Sequence, residues 1–499
     1  MADSSRRWWR RSWRRFRRRS WRVQIISIVV AVVLAGGVVL LLSTSPSRAP
    51  RNGASTTTPS TAGTGGQYGA STAGVSAHVI KVAFPVANLN TLATSLGFAG
   101  DIEYNEQAKA IHLYVDQINN DGGIHGRKID PIIVNFDPTN ETDMRALCKQ
   151  WTEGSGAVFA VLDGVGTWSG DNQLCIAQEG HTPLLSQWTT VTNWTQEAAP
   201  NLWWTGPDDV AILQAIVDWG LSAGLLGNGV RVGVIAGDRA SDQLALNDYL
   251  LPDLERAGVQ PTVRTIAANP SDTATTDASA PLIIQELKSA GVTSVIPLIP
   301  FNVFFPVLEA ETEQGYFPRL LLSDYENSIQ AALGLIPVPF EKALDGQLGV
   351  TTETLGGIDD TRPESEGGYD PGVRSCFATW HKAYPQIPPG NQNFFIEEQG
   401  PVQAWCQEIR LFAAAATAAG RHLDRSTFDA AMATIHGFPG GFAPILTYGT
   451  DRYSGPTQYR VVRLHTNEPP TSQCHMPFDQ IPEGVCWVVV QNWQPLPGS

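Results

Sequence analysis

Charge is scarce in this chain. Of 499 residues only 16% are Asp, Glu, Lys or Arg, and the cations are unevenly placed. Residues 1–22 hold ten Arg against one acid, Asp3, so with a total net charge of −14 the remainder carries −23. An acidic body lacks the clustered cations that displace counterions from a duplex, which argues against nucleic acid as a partner. Cysteine is sparse too: there are six, none in C-x-x-C spacing, and only Cys474-His475 sets a Cys beside a His. That excludes the common zinc frameworks. The nine His are scattered, with no H-E-x-x-H and no i, i+4 pair, so no metal site is expected. No lysine follows a glycine run as a phosphate loop requires. Gly166-Thr-Trp-Ser169-Gly170 has the wrong spacing for a nucleophile elbow. No catalytic residue and no cofactor is assigned.

What is present begins with one long apolar run. In Val23–Leu42 only Gln24 and Ser27 are polar. A helix of that length spans roughly 30 Å, about the hydrocarbon thickness of a bilayer. Arg on one flank alone predicts a single-pass span with a cytoplasmic N-terminus and everything beyond Leu42 outside the cell. Trp8, Trp9, Trp13, Phe16 and Trp21 suit an interfacial stretch. The run is longer than the apolar core of a cleaved leader, and Pro46 follows Ser43-Thr44-Ser45, so a retained anchor is favoured over a cleaved signal peptide. The first Cys after the run is Cys148, which speaks against a lipoprotein anchor.

Residues 43–77 are rich in Ser, Thr, Pro, Gly and Ala and read as a flexible tether. From Val79 onward apolar runs alternate with amphipathic stretches: strand Val79–Val86, helix Asp101–Asn119, strand Pro131–Phe136, helix Glu141–Glu153, strand Ala157–Leu162. Strands separated by helices at this spacing are βαβ crossovers in a parallel sheet. The pattern restarts near Asn201–Pro207 and runs to Arg319–Ser323. Two lobes of like architecture, each an open doubly wound parallel sheet, are therefore expected. Residues 355–393, with Asp359, Asp360, Glu364 and Glu366, break the rhythm and read as a solvated acidic insertion; a calcium loop is the alternative. An even Cys count in an exported chain suggests disulfides. Fifteen pairings are open, and neighbours in sequence are favoured: Cys148 with Cys175, Cys376 with Cys406, Cys474 with Cys486.

Ala110–Phe136 (AIHLYVDQINNDGGIHGRKIDPIIVNF) is the most specific segment. A helix ends in Asn-Asn-Asp, Gly122-Gly123 supplies a left-handed cap, Ile124 tucks back and Gly126 turns the chain into a strand. Asp116, Ile118, Asn119, Gly122, Gly123, Ile124, Gly126 and Arg127 together resemble the branched-chain amino-acid binding branch of the type I periplasmic binding proteins. The resemblance runs over about 79–464, and Thr447–Leu464 is similar to that family's closing stretch. It implies an α/β fold of two lobes joined by a hinge, at 79–206 plus 327–445 and at 207–326 plus 446–499, here preceded by a transmembrane helix, with a ligand in the cleft between lobes. It also implies a disulfide where Cys148 and Cys175 flank the third strand.

Carried over by position, the first lobe offers Thr167, Trp168, Ser169, Gln187 and Thr189 to an amino acid's charged ends. The second offers Phe301, Asn302, Asp324 and Tyr325, with Asp324 as partner for an ammonium group; Arg239 stands where the family carries a hydroxyl-rich loop and suits an acidic ligand instead, a departure from simple branched-chain amino acid specificity. Asp324 could instead cap a helix beginning near Asn327. Trp188, Trp194, Trp203 and Trp204 form either a stacking surface or core and hinge packing. Gly164, Gly166 and Gly170 nearly spell a dinucleotide fingerprint, but the last interval is one residue long and no acid ends the next strand. The expectation is an extracytoplasmic solute-binding protein that takes an amino acid-like small molecule and serves an ABC-type importer. A membrane-tethered sensor or scaffold on the same fold is the alternative, and an exported enzyme on a related scaffold is a third.

Overall fold

The computed structural model describes residues 72–88, 104–138, 140–164, 168, 171–187, 191–227, 229–269, 272–327, 329, 340–354, 371–385, 400–466 and 486–498. Within them the alternation read from sequence becomes two sheets. The first contains β1 (Val79–Ala87), β2 (Lys128–Phe136), β3 (Ala160–Asp163), β4 (Leu184–Ser186) and β5 (Leu202–Trp204), in the order β2-β1-β3-β4-β5 and parallel throughout. β1 is almost wholly buried, as a central parallel strand covered on both faces must be. Pro131, which cannot donate to a ladder, sits on the edge strand β2.

The second sheet contains β6 (Val232–Gly237), β7 (Thr262–Ile266), β8 (Ser294–Leu298), β9 (Arg319–Ser323) and β10 (Leu348–Thr351) in the order β7-β6-β8-β9-β10, repeating the topology of the first. A short ribbon, β11 (Phe438–Pro439) with β12 (Ile445–Leu446), precedes two antiparallel additions, β13 (Gln458–His465) beside β10 and β14 (Cys486–Pro495) at the edge. The family resemblance assigns 327–445 to the first lobe; β10, inside that span, pairs instead with β9 and β13 of the second sheet. The physical reason is that β9 needs a parallel neighbour on its open side, and the apolar Leu348 and Val350 supply it.

The chain passes between the sheets three times, near 205–208, 352–354 and 447–457. Helices Tyr104–Asn120 and Gly400–Ala418 cover one face of the first sheet, where Trp405 and Phe412 pack with Ile80, Phe84 and Phe159. The glycine cap forms as its sequence demands. Gly123 has φ +69, and a Cβ there would lie 2.1 Å from the Arg127 carbonyl oxygen, while Ile124 is buried and bridges to Arg127.

Two cysteine pairs form disulfides, Cys148–Cys175 and Cys376–Cys406. The Cys474–Cys486 pairing involves a position outside the described residues. The expected span Val23–Leu42, the tether, and Asp359, Asp360, Glu364 and Glu366 also lie outside them. Among the described residues no helix is long and apolar enough to cross a membrane. Part of the supposed insertion is regular: Pro371–Ala383 is a helix that buries Val373, Phe377 and Trp380 and is bound to Gly400–Ala418 by the second disulfide. Its apolar face escapes notice in sequence because the flanks are rich in Gly, Pro and acids.

Candidate functional site

In open α/β sheets ligands bind outside the carboxyl ends of the strands, at the switch point where strand order reverses. Here those ends carry dense buried polar groups. Asp163 ends β3 with no exposure; its Oδ2 accepts from the Trp168 N–H at 3.0 Å and from the Ser186 hydroxyl at 3.1 Å. Glu408, on the Gly400–Ala418 helix, accepts from the Thr205 hydroxyl at 3.3 Å. Burial raises its pKa well above the usual carboxylate value, and the nearby Asp163 charge adds to that.

The second sheet presents a different arrangement. Gly237 ends β6, and a Cβ there would meet the Asp242 carboxylate at 2.1 Å, so the close approach needs glycine. Arg239 chelates Asp242 through Nε and Nη2, both at 2.8 Å, and reaches Glu326 at 2.8 Å. The Tyr325 hydroxyl donates to the same Asp242 at 2.9 Å. Glu326 sits at φ +50, a backbone region costly for a residue with a Cβ. Its carboxylate is held there by Arg239.

A third set of bonds binds the crossovers. Asp324 Oδ2 accepts from the Thr352 N–H at 2.7 Å and from its hydroxyl at 2.8 Å. Burial pushes Asp324 up to about 6, against the lowering effect of Thr351, Thr352 and Arg460. Gln187 donates to the Glu353 carboxylate at 3.0 Å, and Arg460 donates to the Glu353 carbonyl at 3.1 Å.

Above these networks opens a cleft of about 900 Å³. Segments leaving β2, β3, β4, β6 and β7 build its wall, with Arg145, Lys149, Asn172, Trp194, Arg239 and Ser241 among the lining residues. That is the size range of small-molecule pockets. Arg145 is ion-paired to Glu179, and Lys149 to Glu153.

Of the residues singled out from sequence, Arg239 lines this cleft. Trp168 is fully buried, its ring 5.1 Å from both Phe136 and Trp151, with Nε1 donating to the Asn172 carbonyl. Gln187 and Tyr325 are buried in the bonds just given. The Asp324 carboxylate is taken up by Thr352 through Oδ2; the start of the helix that it would cap lies outside the described residues. Thr167, Ser169 and Thr189 lie outside the described residues, as do the side chains of Phe301 and Asn302, whose backbone opens the Phe301–Gln314 helix. Trp203 and Trp204 are core residues; Trp194 reaches the cleft.

Arg145, Lys149 and Asn269 are missed by sequence reasoning, since their only signal is that they follow β2 and β7. Gly220-Leu-Ser222-Ala-Gly224 spells the elbow pattern of hydrolases, but it ends the Asp209–Ser222 helix and Ser222 donates to the Trp219 carbonyl. The strand-to-helix turn that exposes a nucleophile is not there. Among the described residues no group of His, Cys, Asp and Glu is placed to hold a metal.

A family model described as periplasmic binding protein matches residues 94–469. No curated protein matches the chain. Solved structures of similar fold include a fatty acid ABC transporter substrate-binding protein from Thermomonospora curvata, at 15% identity over 84% of this chain and 93% of that one, TM-score 0.59. A solute-binding protein of an R. palustris ABC transporter in complex with 4-hydroxybenzoate matches at 13% identity over 84% and 98%, TM-score 0.60. A branched chain amino acid ABC transporter from Thermus thermophilus with bound valine matches at 13% identity over 84% and 96%, TM-score 0.58.

Proposed function

The chain belongs to the periplasmic binding protein family, and from that membership we propose that it is an extracytoplasmic receptor, capturing one small solute between its two sheets for an ABC-type importer. The observation that carries this reading is the cleft of about 900 Å³ walled by segments from the carboxyl ends of both sheets. Closure about the three crossovers would surround a solute from both sides, as hinged binding proteins do. The Val23–Leu42 run would tether the body to the outer face of the membrane.

The proposed solute is a carboxylate beside an apolar body. The similar structures are titled for a fatty acid, for 4-hydroxybenzoate and for valine, which share that chemistry. In this chain three cations, Arg145, Lys149 and Arg239, line the cleft against two acids, Glu141 and Asp238, and Met144 and Trp194 supply apolar surface. Arg239 reaches Asp242 and Glu326 through Nε and Nη2, and the guanidinium as a whole suits a carboxylate. An amino acid is one case of this class; an aliphatic or aromatic acid is another.

A tethered sensor or scaffold on the same fold is the second reading. It is favoured by Trp168, Gln187, Asp324 and Tyr325, all engaged in internal bonds at positions expected to face an amino acid. A thermal-shift screen of the full chain against amino acids, benzoates and fatty acids tests between them. A solute binding only the folded state adds about 2.7 kcal/mol at one hundred times its dissociation constant. A shift with one of these acids that is absent with its amide supports the receptor; no shift across the panel favours the scaffold.

A further inference from the structure

A second cavity, of about 480 Å³, lies on the hinge and is not used by the cleft. Two of the three crossovers meet on its wall, bringing Asp208 from one and Arg452 from the other. Asp208 caps the Asp209–Ser222 helix, accepting from the Ala211 N–H at 2.8 Å. Arg452 is held by carbonyl oxygens, Nε on Ser454 at 3.1 Å and Nη2 on Pro456 at 2.7 Å. Burial raises the Asp208 carboxyl and lowers the Arg452 guanidinium, and each charge partly offsets the other's shift through space without a hydrogen bond between them. Opposite charges thus share one cavity and are kept apart by their own backbone partners. Both are half-buried on its wall, and a ligand carrying two opposite charges would join them.

We propose that this hinge cavity is a second binding site, for a small zwitterion that carries an ammonium and a carboxylate, such as a free amino acid. The ammonium meets Asp208, with Asp451 on the same wall, and the carboxylate meets Arg452, whose planar donors suit it. Trp204, Ala211, Pro456 and Leu496 give the side chain an apolar wall. Because the ligand touches both crossovers, its binding fixes the angle through which the cleft opens.

Calorimetric titration of the full chain with glycine, leucine and phenylalanine, each beside its amide and its deaminated acid, tests the site. At least one zwitterion should bind, with its amide and acid about tenfold weaker or more, since each lacks one charged anchor. Asp208→Asn keeps the helix cap and should weaken binding about tenfold or more. Gln196→Trp, at an exposed position on the rim, fills the cavity without touching the core and should do the same. The proposal is overturned if no zwitterion binds, or if neither substitution weakens binding. Should the loss follow Arg239→Ala instead, the zwitterion sits in the cleft; the hinge site then falls while the cleft reading stands.

Discussion

Asp209 shows how one buried side chain sets a pH dependence. Its Oδ1 accepts from the N–H and hydroxyl of Thr192 and from the Val210 N–H, all at 2.7–2.9 Å. Burial nevertheless pushes its pKa from 3.8 to about 7, and Asp208 adds to the rise. The folded chain therefore keeps a proton that the unfolded chain releases. Stability from this group is full below about pH 4 and is lost as pH rises through 7. Asp209→Asn should leave stability at pH 4 nearly unchanged and raise it at pH 8 by about 1–3 kcal/mol, read from urea unfolding at both values. A loss at pH 8 would contradict this. Asp324 acts through its bonds to Thr352: Asp324→Ala leaves a buried N–H and hydroxyl unpaired and should cost about 1–3 kcal/mol, while Asp324→Asn keeps an acceptor and should cost less. Equal losses in the two variants would sink that assignment. The partners at this scale were not legible in sequence. Asp324 meets Thr352 and Arg239 meets Glu326 only because the fold brings separated strand ends together. The glycine cap was legible, because Gly122, Gly123 and Ile124 act within one turn.

Elements were read better than side chains, since the alternation of apolar runs and amphipathic stretches is local. The helix–glycine–strand passage into β2 and the succession from β6 to β9 follow the pattern. Two elements escaped it for physical reasons. β10 is four residues long and apolar, and nothing local tells which sheet will take it; pairing with β9 decides. Pro371–Ala383 hides among Gly, Pro and acids, and its place depends on the Cys376–Cys406 link to the next helix. The other link, Cys148–Cys175, closes 27 residues and joins the Glu141–Thr152 helix to the segment after β3. Removing that restriction on the unfolded chain costs about 3–4 kcal/mol for a loop of this length. A Cys148→Ser, Cys175→Ser double variant should therefore unfold at clearly lower urea with solute sites unchanged. An unshifted midpoint would mean that the pair contributes nothing to stability.

For the whole molecule, the repeated order β2-β1-β3-β4-β5 and β7-β6-β8-β9-β10 gives each sheet a switch point, and the cleft is walled by segments leaving both sheets. The family and its two-lobed plan were foreseeable from one glycine-rich segment and the strand rhythm. The cationic lining was not, because Arg145 and Lys149 stand on a helix that sequence alone does not aim at the other sheet. The claim that this cleft captures a carboxylate-bearing solute is tested most directly by calorimetric titration of the full chain with valine, 4-hydroxybenzoate and a medium-chain fatty acid. The account predicts saturable binding of at least one of them at the cleft, weakened about tenfold or more by Arg145→Ala or Arg239→Ala. Absence of binding heat from all three, or affinity untouched by both substitutions, would contradict it.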